Sequence, residues 1–199
     1  MRYTLRLLLL LLLAGCARQP ALSPLSPGDV ILAFGDSLTW GTGVSASMSY
    51  PAVLEELTGL EVVRSGVPGE LSRDGLKRLD TVLREVEPDL VILCHGGNDV
   101  LRRLNPAQTE ANLKAMIRLV RDHGSEVAVL AVPKFGLFPE PWDYYERIQE
   151  EMQVPVEYDV LADLESDSAM KSDRVHFNSA GYRKMAEATR ELLRDAGAL

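Results

Sequence analysis

Cysteine is scarce in this chain of 199 residues, which contains only Cys16 and Cys94. The two stand in unrelated settings, because Cys16 ends an apolar N-terminal segment and Cys94 lies in an apolar run typical of a core strand. Small secreted folds without a large hydrophobic core depend on several disulfide bonds. The sequence therefore argues against a disulfide framework, and we interpret Cys94 as a small buried apolar side chain.

Basic residues are outnumbered, and they form no block. Lysine and arginine together number 21 against 29 aspartates and glutamates, which gives a formal net charge of -8 at pH 7. An acidic surface of this kind repels the phosphate backbone of nucleic acids. Nucleic acid is therefore not expected as a partner.

The apolar run at the N-terminus is too short to span a bilayer as a helix. A stretch of leucines ending at Leu13 follows Arg2 and Arg6 and leads into small residues. This order is typical of a secretory signal peptide. We therefore expect residues 1–15 to be removed, which leaves 19 basic residues against 29 acidic ones and a net charge of -10.

The end of this leader, Leu13-Ala14-Gly15-Cys16, resembles the lipobox of bacterial lipoproteins, in which the cysteine is acylated and becomes the new N-terminus. The resemblance implies lipidation at Cys16 and a membrane anchor. The alternative is an ordinary signal peptide followed by a chance cysteine. Ala17, where some lipoproteins have aspartate, resembles the sorting pattern for the outer membrane. We therefore expect the protein to act in the bacterial cell envelope, anchored in the outer membrane and facing the periplasm.

Residues 16–27 are rich in proline and serine, with prolines at Pro20, Pro24 and Pro27. This composition predicts an extended tether after the leader. The chain as a whole is 46% hydrophobic, which is enough for one domain with a sizeable core. We therefore predict a single globular domain over residues 28–199.

Apolar strands alternate with helical patterns along this domain. The predicted strands cover residues 30–33, 61–63, 89–94, 127–132 and 154–158, and the predicted helices cover 50–58, 71–86, 106–122 and 180–193. Such alternation predicts an α/β fold, a parallel sheet covered by helices on both faces. In sheets of this kind the functional site lies beyond the carboxyl ends of the strands.

Ser37 is the candidate nucleophile. It follows the apolar run that ends at Ala33, and Gly35 permits a tight turn that presents the hydroxyl at the sheet edge. Taken alone, a serine in this place could equally cap a helix. Serine is a poor nucleophile by itself, so the hypothesis requires a base, a group that orients the base, and donors for an oxyanion.

The base and its orienting acid are sought just before the last predicted helix. His176 is the candidate general base, because an imidazole can take the serine proton near neutral pH and return it to a leaving group. Asp173, three residues earlier, can reach the far ring nitrogen if the backbone turns. Asp163 and Asp167 are alternative acids, but neither has this short spacing to the histidine.

Oxyanion donors are expected from three strand ends. The natural set is the backbone N–H of Ser37, the backbone N–H of Gly69 and the side-chain amide of Asn98. Each of these residues follows a predicted strand, so a parallel sheet would bring them to one edge.

Four blocks in this order resemble the SGNH (GDSL-type) hydrolase superfamily, and within it the bacterial arylesterase, acyl-thioesterase and lysophospholipase branch. The blocks are Gly35-Asp36-Ser37-Leu38, the glycine loop ending at Gly69, Gly97-Asn98-Asp99 and Asp173-x-x-His176. The resemblance implies a flavodoxin-like three-layer α/β/α fold with about five strands, an acyl-serine intermediate, and no metal or cofactor. It also assigns the catalytic roles to Ser37, Asp173 and His176 and the oxyanion roles to Ser37, Gly69 and Asn98.

Three further residues are candidates for substrate contact. His95 follows a core strand, although it could simply support the turn at Gly96 and Gly97. Phe138 and Trp142 belong to an aromatic segment, residues 134–145, which could form an acyl-chain wall or lid or could fill the core.

The expected function is hydrolysis of carboxylic esters or thioesters by a monomeric, lipid-anchored serine esterase. Within the same chemistry, the alternative is O-deacetylation of an envelope carbohydrate. From a different class, the alternative is a non-catalytic envelope lipoprotein, although a binding protein has no need of a serine, an aspartate and a histidine together.

Overall fold

The computed structural model describes residues 20–136 and 138–199. Cys16 and the predicted leader lie outside the described residues. Within the described ranges, no helix is both long and apolar enough to cross a membrane.

The centre of the domain is a sheet of five parallel strands. In spatial order these are β2 (Glu61–Gly66), β1 (Val30–Gly35), β3 (Leu90–Cys94), β4 (Glu126–Leu130) and β7 (Val156–Glu157). The register places Gly35 level with Gly66 on one side and with Cys94 on the other. The connections that follow β1, β2 and β3 therefore leave the sheet side by side.

Helices cover both faces of this sheet. The longer ones are α2 (Tyr50–Thr58), α3 (Ser72–Val86), α5 (Pro106–Asp122), α6 (Tyr144–Met152) and α8 (Ser179–Asp195). Helices α2 and α8 pack against each other, and α5 packs against both α3 and α6. This is the predicted three-layer α/β/α fold.

The core follows from the apolar runs in the sequence. All five residues of β3 are buried, as are Ile31, Leu32, Ala33 and Phe34 of β1, because strands covered on both faces expose neither side. Cys94 is free and 1% exposed, which agrees with its interpretation as a small core residue.

Several short elements were not expected from the sequence. Three short helices follow strands: α1 (Ser37–Trp40), α4 (Gly97–Leu101) and α7 (Val160–Ser166). The aromatic segment forms a small antiparallel hairpin from β5 (Pro133–Lys134) and β6 (Glu140–Pro141). Elements of this length have too few residues to show a periodicity.

The predicted tether is wrong for its last part. The backbone N–H of Leu22 donates to the carbonyl oxygen of Ala196 at 2.9 Å, and that of Leu25 donates to Ala198 at 2.9 Å. The hydroxyl of Ser23 donates to Glu126 at 2.7 Å. Residues 22–25 therefore belong to the folded unit, which begins before residue 28.

Candidate active site

Ser37 lies where the chain leaves the sheet and starts α1. The turn places its Oγ 3.0 Å from Nε2 of His176, which comes from the loop before α8. Ser37 is 8% exposed, and the side chain of His176 is 20% exposed. A hydroxyl and an imidazole from opposite ends of the chain thus share a hydrogen bond in a mostly buried place.

Asp173 completes this hydrogen-bonded chain. Its Oδ2 lies 2.7 Å from Nδ1 of His176, the ring nitrogen that faces away from Ser37. Its Oδ1 accepts the backbone N–H groups of Val175 and His176, each at 2.8 Å. The backbone bond from His176, followed by the bond from its ring and the bond from Val175, lowers the pKa of Asp173 to about 2. The carboxylate is therefore ionised wherever the imidazole can act as a base.

The loop that carries both residues is closed on itself. Lys171 and Phe177 form an antiparallel bridge, and the backbone N–H of Ser172 donates to the carbonyl oxygen of His176 at 2.9 Å. Asn178 then caps α8, since its side-chain oxygen accepts the N–H groups of Ala180 and Gly181. The turn required for a three-residue spacing between acid and base is thereby fixed.

The predicted oxyanion donors line the same cavity as the serine. Ser37, Gly69, Asn98 and His176 all face an open cavity of about 240 Å³. Its other walls are mostly apolar, including Leu38, Val132, Pro133, Phe135, Leu161, Val175 and Phe177. Preorganised donors beside an apolar space can stabilise the negative oxygen of a tetrahedral intermediate.

Asp36 is a site residue that the sequence reasoning did not single out, although it belongs to the first block. It is 4% exposed, its Oδ1 accepts the N–H of Leu38, and its Oδ2 accepts the side-chain amide of Asn98 at 3.1 Å. Burial raises the pKa of Asp36, against the effects of His95, Leu38, His176 and Asn98. Asp36 therefore orients the side-chain amide of Asn98.

The structure separates the three predicted contact residues. Trp142 lines a groove of about 610 Å³ that adjoins the catalytic cavity, because Leu101 and Phe135 line both spaces. Phe138 is 83% exposed and lines neither.

The prediction that His95 contacts substrate is wrong, because its side chain is fully buried and its Nε2 lies 3.1 Å from Glu70. Its other ring nitrogen accepts the backbone N–H of Gly96, so the alternative role in the glycine turn is what the structure has. In the part of the chain that the structure describes, no group of three His, Cys, Asp or Glu side chains is arranged to hold a metal ion.

Curated relatives resemble more than half of this chain. Esterase TesA of Pseudomonas aeruginosa is 34% identical over 134 residues, which cover 63% of this chain and 67% of the relative. The arylesterase of Vibrio mimicus is 32% identical over 139 residues, or 63% of this chain and 68% of the relative. Thioesterase 1/protease 1/lysophospholipase L1 of Escherichia coli is 35% identical over 106 residues, about half of each chain.

Solved structures agree with these relatives in fold. A crystal structure of TesA superposes with a TM-score of 0.76 at 26% identity, covering 84% of this chain and 99% of that one. AlinE4, an SGNH-hydrolase family esterase, superposes with a TM-score of 0.67 at 26% identity over 88% of this chain and 100% of that one. The model of the GDSL-like Lipase/Acylhydrolase family matches residues 33–184, from the first block through the last. The chain therefore belongs to the GDSL-like lipase/acylhydrolase family and is a hydrolase of the esterase and thioesterase type.

Proposed function

We propose that the protein hydrolyses aliphatic acyl esters or thioesters, with Ser37 as nucleophile, His176 as general base and acid, and Asp173 as the orienting acid. The observation that carries the proposal is the hydrogen-bonded chain from Asp173 through His176 to Ser37, with distances of 2.7 and 3.0 Å, beside an apolar cavity.

The first half of the reaction forms an acyl-enzyme. Oγ of Ser37 attacks the carbonyl carbon while Nε2 of His176 takes the hydroxyl proton. The negative charge that develops on the carbonyl oxygen is stabilised by the N–H groups of Ser37 and Gly69 and by the amide of Asn98. When the tetrahedral intermediate collapses, His176 gives its proton to the departing alcohol or thiol, and the acyl group stays on Ser37.

The second half returns the enzyme to its starting state. Water attacks the acyl carbon while His176 takes one of its protons, and the same donors hold the second oxyanion. Collapse releases the carboxylic acid, and the proton on His176 returns to Oγ of Ser37. Asp173 accepts a hydrogen bond from Nδ1 throughout and stabilises the imidazolium in both halves.

The walls of the site support this substrate class. An apolar cavity with a second, partly aromatic groove adjoining it favours an aliphatic acyl chain over an acetylated sugar, whose hydroxyl groups need polar partners. The names of the relatives, an esterase, a thioesterase/lysophospholipase and an arylesterase, support the same class.

The place of action that we propose is the cell envelope. The support is the sequence of the leader and of Cys16, which would carry the lipid anchor, and the domain would act as a monomer in the periplasm.

The test is hydrolysis of p-nitrophenyl esters from acetate to long acyl chains by the full chain in detergent, beside Ser37→Ala. We expect turnover that rises from acetate to medium chains and falls by at least about 10³-fold in the variant, because triad members act as a unit. A preference for acetate would favour the deacetylase. A folded wild type that is inert on every ester would contradict the proposal and favour a non-catalytic lipoprotein.

A further inference from the structure

A partly buried ionic cluster joins the two loops that carry the proposed oxyanion donors Gly69 and Asn98. Its centre is Glu70, which follows Gly69 and whose side chain is 8% exposed. Arg78 of α3 holds the carboxylate with two bonds, from Nε to Oε1 at 2.9 Å and from Nη2 to Oε2 at 2.8 Å. Such bidentate geometry fixes the carboxylate in direction as well as in distance.

His95 binds the same carboxylate from the other oxyanion loop. Its Nδ1 accepts the N–H of Gly96 at 2.9 Å, so Nδ1 carries no proton. The proton is therefore on Nε2, which donates to Oε2 of Glu70 at 3.1 Å. His95 thus joins the loop that carries Gly69 to the loop that carries Asn98.

The sequence makes room for this imidazole at a specific position. Gly75 lies inside α3, where glycine is disfavoured, and a Cβ atom there would stand 2.3 Å from Nε2 of His95. Any larger residue at position 75 would clash with the ring and displace it. The glycine is explained by the close approach of His95 to the helix.

A second connection joins the same two loops farther along. Asp99 accepts the backbone N–H of Ser72 at 2.8 Å through Oδ2 and the hydroxyl of Ser72 at 2.7 Å through Oδ1. In the sequence, Glu70 and Ser72 come one and three residues after Gly69, and their partners His95 and Asp99 come before and after Asn98. The loop that carries Gly69 and the loop that carries Asn98 are thus joined at two places, by Glu70 with His95 and by Ser72 with Asp99.

We infer that Glu70 and His95 are positioning residues that fix the separation of the Gly69 N–H and the Asn98 amide. The inference rests on the proposed oxyanion roles of these two donors. An ion pair that is shielded from most of the solvent, as Glu70 and Arg78 are, adds little stability, because the desolvation of its charges offsets much of their attraction. The position of this cluster between the two loops is explained by its effect on geometry instead. Oxyanion donors stabilise the transition state only when they are already in position, and the cluster holds the two loops at a fixed separation.

The test compares substitutions by side chains of similar size, chosen to remove or to keep a hydrogen bond between Glu70 and its partners. Glu70→Gln removes the charge that Arg78 and His95 bind. His95→Asn keeps an acceptor near Gly96 but loses the donor to Glu70, whereas His95→Gln keeps a donor near the position of Nε2. The measurements are kcat and KM on a p-nitrophenyl ester, the affinity of an alkylboronic acid that mimics the tetrahedral intermediate, and Tm.

We expect Glu70→Gln and His95→Asn to lower kcat by about tenfold or more with KM within about twofold, because displaced donors fail mainly in the transition state. Boronic acid affinity should fall by a similar factor, and His95→Gln should recover most of the activity. If Glu70→Gln does not fold, the comparison of the two His95 variants decides the question.

The matched control is Ser125→Ala. This hydroxyl is buried at the far end of the sheet and donates to the carbonyl oxygen of Pro88 at 2.6 Å. It should lower Tm without changing kcat at a temperature where the protein is folded. Folded Glu70→Gln and His95→Asn with wild-type kcat and a lower Tm would overturn the inference. Turnover that survives in Ser37→Ala would instead overturn the proposed function.

Discussion

Asp173 divides its two carboxylate oxygens between two tasks. Oδ1 holds the backbone turn through the N–H groups of Val175 and His176, and Oδ2 faces the imidazole. The choice of Asp173 as partner of His176 could be predicted from their spacing of three residues. Only an acid this close in the sequence can accept both the backbone N–H groups of the turn and the N–H of the imidazole ring. The division between the two oxygens could not be predicted, since it depends on how the loop closes at Lys171 and Phe177.

Replacing Asp173 with asparagine separates these tasks. The amide oxygen can still accept the two backbone N–H groups, but the amide nitrogen then faces Nδ1 and favours the wrong tautomer of His176. We expect folding and Tm to stay close to wild type while kcat falls by roughly 10⁴-fold, the loss known for this change in serine proteases. Steady-state kinetics together with circular dichroism check this. A kcat within tenfold of wild type would contradict an orienting role.

The pH dependence of Asp173 has a defined sign. Its lowered pKa means that the ionised form is favoured by folding, and that this contribution is present above the ordinary pKa of 3.8 and lost as pH falls through about 2. Asp173 is therefore ionised throughout the neutral and weakly acidic range. A loss of activity in that range therefore does not report protonation of Asp173.

At the scale of elements, two glycines allow the helix that carries Ser37 to lie against the strand ends. A Cβ on Gly66 would stand 2.3 Å from the backbone nitrogen of Trp40 and 2.6 Å from the carbonyl oxygen of Asp36. A Cβ on Gly35 would stand 2.0 Å from the carbonyl oxygen of Cys94. The turn at Gly35 could be predicted from the sequence, but the close approach of the two glycines to α1 and β3 depends on the parallel register.

Gly66→Ala should therefore damage the site through the backbone. The neighbouring atoms are main-chain atoms that cannot rotate aside, so α1 must shift. We expect a loss of about 1–3 kcal/mol of stability and, for a domain of this size, a Tm lower by about 2–4 °C for each kcal/mol.

We also expect kcat to fall by up to roughly 10²-fold, because Ser37 moves with the helix. Gly136→Ala is the control, since its Cβ would meet no atom within 4 Å and its backbone is not left-handed. Calorimetry and ester kinetics on both variants are the measurement. Equal Tm and kcat in the two would show that α1 tolerates the extra carbon.

The long elements could be predicted because each shows a full period. Helices α2 and α5 begin and end where the sequence predicts, since Pro51 and Pro106 lie near their starts and apolar residues repeat at helical spacing. The setting of His95 could not be predicted in this way. Its burial depends on Gly75 in the facing helix and on Glu70 from a third segment, and no local pattern relates them.

The whole molecule has two different ends. Among the described residues, and apart from Leu199, the large apolar side chains that are exposed lie on connections that follow the carboxyl ends of strands: Trp40, Met48, Val67, Leu101, Leu104 and Phe138. The opposite end is polar, with a cavity of about 530 Å³ bordered by Asp29, Asp89 and Glu126. Leu22 and Leu25 dock at this polar end.

This docking limits what an anchored enzyme can reach. If Cys16 carries the lipid, as proposed, Leu22 is only six residues away, which is at most about 21 Å of extended chain. Strand β1 alone rises about 20 Å from that end to the site, and the tether would also have to pass around a layer of helices. The site should therefore face away from the membrane that holds the anchor.

The lipidated chain in vesicles tests this geometry. We expect a soluble ester to be cleaved as fast as by the protein in detergent, and a fluorogenic lipid in the same vesicle to be cleaved poorly. Insertion of about 20 glycine and serine residues after Arg18 should restore cleavage of that lipid, because a flexible linker of this length has a root-mean-square span of about 25 Å and can extend to about 66 Å. The same insertion should leave hydrolysis of the soluble ester unchanged. Equal cleavage of the vesicle lipid with and without the insertion would contradict this geometry. It would mean either that the site reaches its own membrane or that Cys16 is not the point of attachment. A Cys16→Ser variant that stays on the vesicles would identify the second case.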